Sequence, residues 1–214
     1  MSNRSLTSDM LLKAYAAGVF PMAERRDDPE LYWVDPRMRG VLPLDGFHMS
    51  RSLARRMLRG SYRATLNTSF DAIVDGCADR DETWINASIR ELMRDLYHKG
   101  HAHAFGIWHD NRLIGGMYGL SIGGAFFGES MYSRETDASK MALAWAVDHL
   151  RRCGFQLFDA QFITPHLATL GAMEISRERY HALLVQALSI EADIEIYPLE
   201  SDAQTVVQRI TQTS

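Results

Sequence analysis

The chain carries only two cysteines in 214 residues. Cys77 and Cys153 lie far apart and form neither a CxxC pair nor a zinc-type spacing. Their plain reading is two reduced, buried small residues. Eight histidines are present, and His101 and His103 would share one face of a strand. No cysteine or carboxylate set completes a metal site around them, so none is expected. Long apolar runs are missing as well: none approaches the roughly 20 residues of a membrane span. The opening stretch Met1–Asp9 is polar and lacks the apolar segment of a secretory signal. A cytoplasmic protein away from the membrane is the expectation. Repeats and low-complexity linkers are absent. So is a nucleophile with a marked base: Ser130 has none beside it, and Cys153 has no indicated partner. Gly115–Gly119 ("GGMYG") is no phosphate loop, because no Lys-Ser/Thr follows. The net charge of −4 argues against a general nucleic-acid coat but leaves room for a local basic patch.

What is present is an ordinary globular composition, long enough for one domain or one domain with a smaller annex. Thr7-Ser8-Asp9 caps a short helix carrying Leu11, Leu12 and Tyr15, closed by Gly18. Residues 18–47 hold four of the six prolines and read as loop and strand, with Tyr32-Trp33-Val34 as a docking strand. Helices are expected from Ser50 to Gly60, over Phe70–Ala78 and over about Ala87–Lys99. Three glycine-punctuated apolar runs follow, "HAHAFGIW", "RLIGGMYGLSI" and "AFFGESMYS". They predict a meander with turns at Asp110-Asn111 and Gly123-Gly124. Then come an amphipathic helix from Asp137 to Gly154, a strand "FQLFDAQF", a helix opened by Thr164-Pro165, a helix over Ser176–Leu188 and a last strand in "IEIYPL". The order is α+β and suits an acetyltransferase-like (GNAT-type) mixed sheet.

Two polar intrusions interrupt apolar strands. Glu129 stands in "FFGESM", and Asp159 and Gln161 stand two apart in "FDAQF", on one face. Both strands flank the Asp137 helix, and a strand–helix–strand connection brings its strands together in one sheet. Buried carboxylates are costly unless paired. The cluster is therefore either a structural hydrogen-bond network or a site that orients an attacking amine and takes its proton. A second feature is the arginine stripe Arg51, Arg55 and Arg59, with Arg56 beside it and no acid from Ser50 to Arg63. It is a solvated face or a phosphate-binding one. Met117, Phe126 and Leu143 fit a core or a pocket wall. Trp84 fits a packed lid or a platform for a base.

These residues recur in longer motifs: "LLKAYAAGVFPM", "RGVLPL", "FHMSRSLARRMLR", "TWINASI", "GHAH", "LIGGMYGLSIGGAFFGESMYSRETDASKMAL", "GFQLFDAQF" and "HLATLGAMEISRERYHALL". In that order, over about Leu11–Leu184, they resemble the leucyl/phenylalanyl-tRNA–protein transferase family. The resemblance implies a small N-terminal domain, placed here at 1–62, on an acetyltransferase-like catalytic domain at 63–214. It implies transfer of Leu, Phe and, less well, Met from aminoacyl-tRNA to proteins with N-terminal Lys or Arg, marking them for N-end-rule degradation. No cofactor is implied, since the ester is already activated, and the expected state is a monomer. Glu129, Asp159 and Gln161 fall on the family's catalytic "GES" and "D-x-Q" positions, with the Asp polarising the Gln. Trp84, Met117, Phe126, Ser133 and Leu143 fall around the aminoacyl pocket. Arg51, Arg55, Arg56 and Arg59 become candidates for the tRNA. The chain departs from the family pattern at Gly106, where an acid is common, and at Met22, where some members carry Trp. The rival readings are a relative using another acyl donor, such as acyl-CoA, and a non-catalytic tRNA-binding module.

Overall fold

The computed structural model describes residues 6–212 apart from 27, 29 and 82; Met1–Ser5, part of the polar opening stretch, lie outside the described residues. Thr7 caps α1 (Ser8–Ala16), its hydroxyl accepting from Met10 N at 3.2 Å. Strands β1 (Phe20–Met22) and β2 (Tyr32–Val34) form a two-stranded antiparallel sheet of their own. β3 (Met38–Val41) was not separately expected. Ser50 caps α2 (Arg51–Arg59), which stops at Gly60. β4 (Tyr62–Leu66), α3 (Phe70–Ala78) and α4 (Ala87–His98) follow, the last capped by Asn86. The meander is as expected: β5 (Ala102–His109), β6 (Arg112–Ile122) and β7 (Ala125–Ser133). Asp110 and Asn111 both have positive φ, the backbone of a two-residue hairpin turn. Then come α5 (Ala138–Arg152), β8 (Leu157–Gln161), α6 (Pro165–Ala168), β9 (Met173–Ser176), α7 (Arg177–Leu188) and α8 (Ala203–Thr211).

The main sheet has the order β4-β5-β6-β7-β8-β3-β9. Every neighbouring pair is antiparallel except β7 and β8, which run parallel and are joined by α5. The fold is therefore mixed α+β. One core lies on each face: α2, α5 and α8 cover one through Leu53, Met57, Trp145 and Val206, and the other is packed with Leu11, Ile73, Met93 and Leu184 from α1, α3, α4 and α7. β3 lies ahead of residue 62, yet it sits between β8 and β9 in this sheet.

Two expectations are corrected. The "IEIYPL" segment forms turns and coil, with Ile196 and Tyr197 exposed, and α8 follows where no helix was expected. α5 is not amphipathic in use: from Met141 to Leu150 it is buried all round, because α2 and α8 close over the side away from the sheet. No helix among the described residues is long and apolar enough to cross a membrane.

Candidate active site

Parallel β7 and β8 pair only from Ala125↔Leu157 to Phe127↔Asp159 and then separate. Clefts beyond the carboxyl ends of parallel strands are where such sheets hold ligands. A cavity of about 890 Å³ fills this split. Its wall includes Glu129, Met131, Ser133, Gln161 and Phe162 from the two strand ends, with Gly76 and Arg80 from α3 and its exit and Leu143 from α5.

A β-bulge explains why a carboxylate stands in an apolar strand. The register between β6 and β7 shifts from Tyr118↔Ser130 to Gly119↔Gly128, leaving Glu129 as the extra residue. A bulge breaks the alternation of faces and re-aims a side chain. Gly128 helps: a Cβ there would lie 2.8 Å from the Phe158 ring. Glu129 turns to the α1 face, where Tyr15 donates its hydroxyl to Oε1 at 2.8 Å. The Gln161 side-chain amide donates to the same oxygen at 2.8 Å. Oε2 is buried with no partner among the described residues. Burial pushes the Glu129 carboxyl up to about 8; the nearby Asp159 charge adds to this, and the Tyr15 and Gln161 hydrogen bonds oppose it.

Asp159 is fully buried and fully engaged. Arg39 donates Nε to Oδ1 at 2.9 Å and Nη2 to Oδ2 at 2.6 Å. Tyr180 donates its hydroxyl to Oδ2 at 2.8 Å, and the Gln161 backbone N–H donates to Oδ1 at 2.8 Å. Arg39 lies between the Phe20 and Tyr180 rings, 4.5 and 4.3 Å from their centroids, and also donates to the Gly18 carbonyl at 3.0 Å. Asp159 thus grips the backbone of Gln161 rather than its side-chain amide. That grip holds Gln161 at φ +63°, uncommon for a residue other than glycine. The outcome places a neutral amide and an unsatisfied carboxyl oxygen side by side. Ionised, Oε2 would accept from an ammonium; protonated, it would donate to the lone pair of a neutral amine.

Glu129 and Gln161 line the cavity, as do Trp84, Met117, Ser133 and Leu143. Asp159 does not; it acts from behind Gln161. Phe126 does not either: it is fully buried, 5.3 Å between ring centroids from Phe158, which does line the cavity. Arg51, Arg55, Arg56 and Arg59 are exposed on α2 and lie outside the cavity; Arg56 pairs with Asp137 at 3.1 Å. Gly106 points away as well: a Cβ there would meet Leu113 and Thr65 at 3.1 Å and Ile73 at 3.2 Å, between β4, β6 and α3. Sequence reasoning passed over Tyr15, Arg39 and Tyr180, the groups that fix the three polar residues. A charge inside the short apolar run Met38–Val41 was the one available signal, and it marked Arg39. Among the described residues no group of three or more His, Cys, Asp or Glu is placed to hold a metal ion.

Two family models match the chain. "Leucyl/phenylalanyl-tRNA protein transferase" covers residues 41–185, and "Leucyl/phenylalanyl-tRNA protein transferase N-terminal domain" covers 4–37. A protein of Ruegeria pomeroyi named leucyl/phenylalanyl-tRNA--protein transferase is 57% identical over 98% of this chain and 100% of its own. One of that name from Cereibacter sphaeroides is 55% identical over the whole of both. The solved structure of FemX is similar over 82% of this chain and 70% of its own, at 13% identity and a TM-score of 0.48. A likeness that loose decides nothing about chemistry.

Proposed function

The chain belongs to the leucyl/phenylalanyl-tRNA protein transferase family, and we propose from that premise that it moves Leu, Phe and, less well, Met from aminoacyl-tRNA to the α-amine of proteins beginning with Lys or Arg. The product is a destabilising N-terminus for N-end-rule degradation, made in the cytoplasm by a monomer. The observation that carries this reading is Glu129 Oε2, a buried carboxyl oxygen without a partner among the described residues, on the wall of a largely apolar cavity.

The acceptor amine attacks the ester carbonyl. A C–N bond forms, the ester C–O bond breaks, and the terminal ribose hydroxyl leaves with a proton. The amine must be neutral to attack, so something must take its proton. Glu129 in its ionised form holds the incoming ammonium at Oε2 and accepts that proton. Gln161 keeps Glu129 oriented through its amide, and its own position depends on Asp159 through the 2.8 Å backbone hydrogen bond. Asp159 is therefore a positioning residue in this scheme. Trp84 offers a face for the terminal base. Met117 and Leu143, backed by Phe126, form an apolar wall for an unbranched-at-β side chain, with Ser133 at its edge. The α2 arginines take the tRNA body through sequence-tolerant phosphate contacts.

The test is transfer of labelled Leu or Phe from its tRNA to a peptide beginning with Arg. Label should appear on the free peptide, not on its N-acetylated form, and should vanish when the tRNA is digested first. Glu129→Gln should lower kcat/KM about 100-fold, the low end of a lost acid–base group. Label arriving from an acyl-CoA would move the chain to another donor class. Binding of tRNA with no transfer to any peptide would leave a binding module.

A further inference from the structure

Resting on that reading of the cavity, we propose that Arg134 and Arg80 form a phosphate subsite at its mouth, taking the phosphodiester on the 5′ side of the donor's terminal nucleoside.

Both arginines line the cavity and both are exposed to solvent. Arg80 leaves the end of α3 and crosses to β7, where its Nη2 donates to the Met131 carbonyl and to Ser130 Oγ. Those bonds fix its guanidinium against the strand without neutralising it. Its backbone carbonyl is held in turn by Arg26 Nη2 at 2.6 Å. Arg134 stands three residues beyond Met131, at the exit of β7. Its backbone N–H donates to the Ile114 carbonyl at 2.7 Å, and its guanidinium lies over the Tyr132 ring at 5.7 Å from the centroid. No carboxylate makes an ion pair with either group among the described residues. Nearby cations are treated differently. Arg112 is paired with Glu135, Arg56 and Lys140 share Asp137, and Arg90 and Arg94 are each paired with an Asp of α3.

The interior of the cavity has the opposite character. Burial pushes its one buried acid, Glu129, up to about 8, and most of the rest of the inner wall is apolar, hydroxyl or amide. Exposed Asp79 also lines the cavity but pairs with neither arginine, so the rim has two guanidinium groups to one carboxylate and suits a molecule whose anionic group adjoins an apolar side chain. The donor has that form: an aminoacyl ester on a nucleoside whose 5′ oxygen carries a phosphate. An arginine presents a planar fork of donors to phosphate oxygens.

The test compares two small donors, a phenylalanyl ester of adenosine and the same ester on cytidylyl-adenosine, which differ by one phosphodiester and its nucleoside. The wild-type kcat/KM ratio between them should be about tenfold or more, the size of one charge-assisted contact. In Arg134→Ala, and to a lesser degree in Arg80→Ala, the ratio should collapse toward unity. Arg112→Ala, which removes an equal charge nearby, should keep the wild-type ratio. An independent readout needs no transfer: adenosine 5′-monophosphate should bind about tenfold more tightly than adenosine, and Arg134→Ala should erase that margin. An unchanged ratio and margin in both variants overturns the subsite. Equal loss on both donors does too, because it marks a structural role. Wild-type protein that transfers from neither small donor nor from aminoacyl-tRNA overturns the reading on which the subsite rests.

Discussion

At Glu129 burial and chemistry oppose each other. The folded protein holds the carboxyl proton to about pH 8, whereas an unfolded chain releases it near the usual 4.5. Between those values the native state binds more protons than the unfolded state, so stability falls as pH rises through this window. Below it both states are protonated and the penalty is absent; above it the penalty is complete. Glu129→Gln has no proton to lose and keeps the amide's fit to Tyr15 and Gln161. Its stability advantage over wild type should therefore grow from about pH 5 to about pH 8 and then level. Urea unfolding of both proteins at one-unit pH steps measures that difference, and every other titrating group cancels. A difference that stays flat would show that the carboxyl is solvated and would remove the case for it as a proton acceptor. The same variant should transfer poorly, which is why a stabilising glutamine is not the residue found there.

At the scale of elements, α2 divides its labour by face. Leu53 and Met57 are buried against the core, and the arginines lie on the exposed side. Replacing Arg51, Arg55 and Arg59 by Ala should leave the helix folded and weaken tRNA binding at every sequence. The slope of log K against log salt should fall by about 2–3, from roughly 0.7–0.9 for each of three lost phosphate contacts. An unaltered slope would make the stripe a solvated face. This helix was legible in sequence because its cap, stop and stripe are all local: Ser50, Gly60 and a four-residue spacing. The meander was legible for the same reason. β3, β4 and β9 were not, since each is five residues or fewer and owes its existence to a distant partner strand. The site divides likewise. Glu129 and Gln161 announced themselves as polar residues in apolar strands. The role of Asp159 did not, because Arg39, which binds it, lies 120 positions away. The bulge that aims Glu129 also depends on β6, so the side chain's direction could not be read from β7 alone.

For the whole molecule the question is whether the first 62 residues act as a domain of their own. The sheet says they contribute to the interior of the rest. β3 pairs with β8 on one side and β9 on the other, and Leu42 N–H donates to the Phe158 carbonyl at 2.9 Å. Tyr15 reaches Glu129 from α1, and Arg39 closes on Asp159 with both groups buried. Breaking such a pair by removing one partner costs about 3–5 kcal/mol, because a buried charge is left without its match. If residues 1–62 opened independently, that cost would fall on them alone. Because β3 is internal to the sheet, opening it must separate β8 from β9 and uncover both cores. Native-state hydrogen exchange distinguishes the two cases. The amides of Gly40 and Val41 on β3 should exchange with the same opening free energy as those of Met117 and Tyr118 on β6. Arg39→Ala should lower both sets by the same amount. Exchange of β3 at a smaller free energy, with β6 unmoved by the substitution, would show a separable N-terminal unit. The active site would then be assembled from two folding bodies rather than cut into one.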